Sequence, residues 1–177
     1  MSVLAKAGVF DLSDKAHIPT GTINAIVAMY QTALSKALGR GSAALTQLIL
    51  RDITEIADEM FKALNIELGT STENIAEEVK HAFKVMGISE RVEVEVPKEV
   101  NEVGSVYVIK VYDSVFKPVA LLLEKKNITF TLSPESFIAA YVIRKALRQR
   151  NEKANVRISV EPMRSPDEPL VIKVTVR

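Results

Sequence analysis

Glu78 and His81 stand three residues apart in a segment of helical periodicity, the Glu-x-x-His spacing that directs two metal ligands to one helix face. A dinuclear centre of that kind needs a second such pair and further carboxylates, and the only other histidine of the chain is His17. The pair therefore reads as a polar helix face on which Glu77 or Glu78 meets His81. Asp11, Asp14 and His17, ahead of Pro19, form a looser cluster that suits turns and caps better than a metal. Neither a metal nor a cofactor is expected.

Anion recognition is the second chemistry the residue types allow. In Gly39-Arg40-Gly41-Ser42, free amides of a helix start, the Arg40 guanidinium and the Ser42 hydroxyl could converge on a phosphate. The segment lacks the Gly-x-x-x-x-Gly-Lys-Ser/Thr pattern and follows no strand, so it is no P-loop. The densest positive charge is the run Arg144, Lys145, Arg148, Arg150 and Lys153, extended by Arg157. It could contact phosphates. It also suits the negative end of a helix, and it lacks the interleaved aromatics of a base-stacking platform.

Other chemistries are excluded by composition. The absence of cysteine removes thiolate nucleophiles, disulfides and cysteine-ligated metals together. There is no Gly-x-Ser-x-Gly elbow and no Ser/His/Asp set to nominate. A net charge of +1 supplies no global field for nucleic acid. The chain offers no catalytic set.

The elements that would position these residues follow from periodicity. Ile23, Ile26, Val27, Tyr30, Leu34, Ala37 and Leu38 recur at the spacing of one helical face, with Gln31, Ser35 and Lys36 elsewhere. Gly39 supplies a left-handed helix end and Ser42 a cap for a second helix. That helix turns Leu45, Leu48, Ile49, Ile53, Ile56, Met60, Phe61 and Leu64 inward, while Arg51 with Glu55 and Asp58 with Lys62 are placed to pair outside. A short joint between two such helices predicts an antiparallel hairpin burying a common stripe.

Thr70 and Glu73 have capping-box spacing ahead of a third helix through Met86, with Gly87 as its stop. The period then changes to two. Val92, Val94 and Val96 alternate with Glu93 and Glu95, and Val106–Tyr112 forms a further strand. Val119–Leu123 and Ile128–Leu132 read as a hairpin around Glu124-Lys125-Lys126-Asn127, with a short helix as the alternative for residues 118–124 because of Pro118. Ser133-Pro134-Glu135 opens a fourth helix with a cap, a first-turn proline and an acid at the positive dipole end, and Leu132 with Phe137 makes a hydrophobic staple. Val156–Val160 and Leu170–Val176 close the chain as an antiparallel pair.

This order predicts a single α+β domain over residues 1–177. With 47% apolar residues it can fill a core, and no apolar run approaches the about 18 residues of a membrane span. The N-terminus lacks a secretory pattern, so a cytoplasmic protein is expected. The lack of Cys and Trp beside a Lys-, Arg- and Glu-rich surface suits a thermophilic source.

The segment Ile18-Pro19-Thr20-Gly21-Thr22, the helix through Tyr30, then Ala37-Leu38-Gly39-Arg40-Gly41-Ser42-Ala43-Ala44 and Arg51 resembles the opening of the vinyl-reductase-type small-molecule-binding domains. These are the archaeal hydrocarbon-binding-like proteins, related to subunits of the transport-particle (TRAPP) complex. The resemblance continues to Gly87-Ile88 and to the strand ending Tyr112-Asp113-Ser114. It implies helices on an antiparallel sheet, homodimerisation through helices and, in many members, a small apolar pocket. The cysteines used by relatives for acylation or metal are missing. A related haem-binding fold uses a helical histidine with Tyr-x-Ser-x-Arg, a motif this chain lacks beside His81, so haem is not expected.

The resulting reading is a non-enzymatic ligand-binding or assembly module, homodimeric, with Tyr30, Leu34, Ile49, Ile53 and Phe83 as pocket candidates. The alternative is nucleic-acid or anion binding through Arg40, Ser42, Arg144, Lys145, Arg148 and Arg150.

Overall fold

The change from a three-and-four period to a two-residue period after Gly87 marks the passage from helices to sheet. The computed structural model describes residues 18–63, 65–66, 74–98, 104–131, 133–150 and 155–177. Among these the elements run α1 (Thr20–Leu38), a 3-10 turn (Gly39–Gly41), α2 (Ser42–Ala63), α3 (Ile75–Val85), β1 (Val92–Glu95), β2 (Val106–Val111), α4 (Lys117–Lys125), α5 (Pro134–Arg150), β3 (Val156–Val160) and β4 (Leu170–Val176). The chain is α+β.

The four strands form one antiparallel sheet in the order β1-β2-β4-β3. Register sorts the side chains by face. Tyr107, Ile109 and Val111 of β2 stand beside Val174, Ile172 and Leu170 of β4, and all six are buried. The opposite face carries the charges: Lys110 pairs with Glu95 at 2.5 Å, Lys173 with Glu161 at 2.5 Å, and the Tyr112 hydroxyl donates to Glu93 at 2.9 Å. Period-two alternation has put an apolar face under the helices and a polar one away from them.

On the apolar face lies α5. Its start obeys the local rules: Ser133 Oγ accepts the Ser136 amide at 3.0 Å and Pro134 takes the first helical position. Ile138, Ala139, Ala140, Val142, Ile143, Ala146 and Leu147 are all buried, because α5 packs on β3 and β4 from one side and on α3 and α2 from others. Gly87 ends α3 as expected, with φ of +64° and the Ile88 amide returning to the Phe83 carbonyl at 2.9 Å. Gly39 ends α1 with φ of +51° and its amide on the Ser35 carbonyl.

Several expectations are corrected. The α1–α2 joint is present, but the two helices do not bury a shared stripe: Ile23, Ile26 and Tyr30 are 36%, 55% and 56% exposed, and Leu48 and Ile56 of α2 are exposed too. Helix α1 instead lies against α4, where Asn24 Nδ2 donates to the Val115 carbonyl at 2.9 Å, and it buries Ala28 and the supposedly outward Gln31. Periodicity identifies an apolar face without naming what covers it. Residues 117–125 are helix, with Pro118 in the first turn and Val119, Ala120 and Leu123 inward at helical spacing, and residues 128–131 form no strand. The cap of α3 is Asn74, which accepts the Glu77 amide at 3.3 Å. The Thr70–Glu73 box, Leu132 of the staple, and Asp11, Asp14 and His17 lie outside the described residues.

Gly87 supplies a clean test of backbone strain, since a Cβ built there meets no atom within 4 Å. Gly87→Ala should cost about 1–2 kcal/mol in urea unfolding through its positive φ alone. Gly87→Asn should cost less, and equal losses for the two variants would contradict this cause.

Candidate functional site

Where α1, α2 and the start of α5 diverge they leave a cavity of about 450 Å3. Each wall comes from a different segment: Thr20 and Ile23 from α1, Ala57 and Phe61 from α2, Met86-Gly87-Ile88 from the turn after α3, Val115 and Phe116 from the loop before α4, and Pro134, Phe137 and Ile138 from α5. Thr20 is the single polar side chain among these residues. Such a volume and lining suit a small apolar molecule.

Two adjacent residues after β2 hold the walls in place. Asp113 receives the Ser89 hydroxyl and the Arg91 amide, the latter at 3.0 Å, tying the loop before α4 to the turn after α3. Burial pushes the Asp113 carboxyl up, but those hydrogen bonds outweigh it and hold the group below its ordinary value. The Val115 amide adds a bond to the Ile88 carbonyl at 3.0 Å. Ser114 works in the other direction, donating its hydroxyl to Glu135 Oε1 in the first turn of α5 while accepting the Phe116 amide at 3.0 Å.

Glu135 is fully buried, and its Oε2 has no hydrogen-bond partner. Burial therefore raises its carboxyl above the ordinary value, and the Ser114 hydroxyl only partly offsets this. Its place in the first turn is the one the sequence gives an acid at the positive end of the helix dipole. In the fold it is a buried peg between α5 and the Ser114 loop.

A clamp joins α2 to α5 next to the cavity residue Phe61. The Tyr141 hydroxyl of α5 donates to Asp58 Oδ1 of α2, Lys145 Nζ lies 2.8 Å from the same oxygen and 3.0 Å from the phenol, and the Phe61 and Tyr141 rings meet edge-on at 5.0 Å. Burial pushes the Asp58 carboxyl up, but the bonds from Lys145 and Tyr141 outweigh it and bring it down. Burial, then Asp58, raises the Tyr141 phenol; burial lowers Lys145, but Asp58 and Tyr141 more than reverse that. The trio fastens α5 to α2. Asp58, expected to pair with Lys62, takes its hydrogen bonds from α5.

The residues singled out from the sequence are placed elsewhere. Tyr30 is exposed, Leu34 and Ile49 are half-buried, and Phe83 sits in the core between α3 and its neighbours, none of them lining this cavity. The side chains of Ile53, Arg40, Ser42 and Arg150 lie outside what the structure describes. The basic run is not brought together as one exposed patch: Arg144 is 3% exposed, Lys145 is bound to Asp58 and Arg148 is half-buried. On α3, His81 is exposed and Glu77 pairs with Lys80 at 2.7 Å, and among the described residues no group of three metal-ligating side chains converges. No helix among them is long and apolar enough to cross a membrane.

Sequence reasoning missed Asp113, Ser114 and Glu135. The signal was an Asp-Ser turn at a strand end, which is unremarkable until the fold sets it against two other segments.

No protein-family model matches the chain. Over 166 residues it is 31% identical to Uncharacterized protein MJ0312 of Methanocaldococcus jannaschii, covering 90% of this chain and 80% of that one. Among solved structures it is similar to a trafficking protein particle complex subunit 3 from Naegleria fowleri covalently bound to palmitic acid, with a TM-score of 0.48, 18% identity, and 89% and 96% of the two chains covered. It is also similar to the phenol-responsive sensory domain of the transcription activator PoxR with phenol, with a TM-score of 0.46, 14% identity, and 90% and 74% covered.

Glu135 gives the protein a signed pH dependence. Its raised folded value means that the native chain holds this proton more tightly than the unfolded chain. Its stabilisation is complete below the ordinary value of 4.5 and is lost as pH rises toward the folded value. Glu135→Gln should remove that decline, so that the variant gains on the parent as pH increases in denaturant titrations. Parallel profiles would contradict a buried neutral acid. Tyr141→Phe should cost about 1 kcal/mol by the same measurement, because it removes one hydrogen bond and keeps the Lys145–Asp58 pair.

Proposed function

The chain belongs to the same family as Uncharacterized protein MJ0312 of Methanocaldococcus jannaschii, and we propose that it is a binding module that holds a small uncharged apolar molecule between α1, α2 and α5. The observation that carries this reading is the chemistry of the cavity wall: eleven of the twelve described residues lining it have no hydrogen-bonding side-chain group, and aromatic rings come from three separate segments. Burying apolar ligand surface there gains about 25 cal/mol per Å2 without leaving a protein polar group unpaired. A charged ligand would find no charged partner among the described wall residues. The likeness of residues 18–51 to vinyl-reductase-type domains supports the same reading.

Titration calorimetry with octanol and with octanoate tests it. Octanol should bind and the ionised acid should bind far more weakly. Ala57→Trp, which fills the space, and Ile23→Trp, which stands at its edge, should each abolish octanol binding while thermal melting stays cooperative. Equal binding of octanol by the parent and both variants would overturn the site.

A second observation favours assembly with another copy of the chain. Helix α1 presents Ile26, Met29 and Tyr30 to solvent along one line, and α2 adds exposed Leu48 and Ile56. A monomer seldom leaves such a face uncovered. Sedimentation should show a dimer that Ile26→Glu with Met29→Glu converts to a folded monomer, whereas a monomeric parent would remove the reading.

A further inference from the structure

A second cavity, of about 440 Å3, opens at the outer edge of the sheet between β3, the 129–131 segment and the N-terminal part of α2. Its chemistry is the opposite of the first. Arg157 and Arg177 are among its lining residues, together with Thr129, Thr131 and Ser159. Among the described residues no Asp or Glu lines it and neither arginine makes an ion pair.

The strand register explains why the two arginines meet. Arg157 stands opposite Thr175, while Asn155 and Arg177 exchange backbone hydrogen bonds of 3.3 and 2.8 Å. Arg157 and Arg177 are therefore diagonal neighbours on one face of the β3–β4 pair, about 7–8 Å apart at the backbone. Ser159 follows two residues on and shares that face. Arg157, which the sequence places at the tail of the basic run, is thus separated from Arg144 and Lys145 and set beside a residue twenty positions away.

We propose that this groove binds a phosphate group carried on a small organic molecule. Guanidinium forks donate in pairs to phosphate oxygens, and hydroxyls can meet the oxygens left over. Two cationic side chains with no acidic side chain among the described lining residues favour an anion there. Its volume exceeds that of the bare ion and leaves room for an organic remainder. The phosphate could belong to a soluble ester or to a lipid headgroup, which share this chemistry.

The test uses the full chain. Calorimetry with glycerol phosphate and inorganic phosphate, and co-sedimentation with phosphatidylcholine vesicles with and without phosphatidic acid, separate the two sources. Binding of glycerol phosphate, with or without the vesicles, assigns a soluble ester, and binding of phosphatidic acid vesicles alone assigns a headgroup. In either case Arg157→Gln and Arg177→Gln should each weaken binding about tenfold or more. Both side chains are exposed, so the melting midpoint should not move. Absence of binding to every phosphate probe, or binding that both variants leave unchanged, would overturn the proposal.

Discussion

A helix buried on nearly every side must find apolar surface in every direction, and meeting that demand for α5 organises the described structure. From Ile138 to Leu147 only Lys145 reaches solvent appreciably, and Lys145 does so while bound to Asp58. The sheet supplies one surface through β3 and β4, α3 supplies another and α2 a third. Each of these elements is amphipathic and unstable alone, so burial of α5 is what makes them a common core. Removing one large aliphatic side chain from such a position costs about 2–5 kcal/mol, a substantial part of a typical domain's stability.

The cavity follows from the same geometry. Near its C-terminal half α5 is clamped to α2 by Asp58, Tyr141 and Lys145, whereas at its first turn it is pegged to the Ser114 loop through Glu135. The helices are thus fixed at two points, and the space between them, under α1, is left without side chains to fill it. Close packing is the ordinary state of protein interiors, and an apolar gap forfeits dispersion contacts along its whole lining. A ligand that restores those contacts is stabilising for reasons independent of any specific polar recognition. Thr20 is the exception that could orient one end of it.

Legibility in the sequence followed the range of the interactions. Strands β3 and β4 were readable to their ends because alternation and β-branched composition are local, and Ser133-Pro134 announced α5 by cap chemistry alone. Residues 117–125 were ambiguous because Val-Ala-Leu-Leu-Leu fits a buried strand or a helix equally, and only the packing of Val119, Ala120 and Leu123 decides. The covering of α1 was not legible, since a three-and-four stripe states that a face is apolar and leaves its partner open. The site was least legible of all. Its walls take two or three residues from each of five segments, and its latch depends on Asp113 and Ser114 meeting Ser89 and Glu135 across long stretches of chain.

The central claim is that the space between α1, α2 and α5 is an apolar site ready to receive a ligand. Crystals of the protein pressurised with xenon test it most directly, because xenon enters dry apolar cavities and avoids polar hydrated ones. A xenon peak is expected within contact of Phe61, Ile88 and Phe137, and it should be absent in Ala57→Trp. A cavity holding ordered, hydrogen-bonded water and no xenon would contradict it.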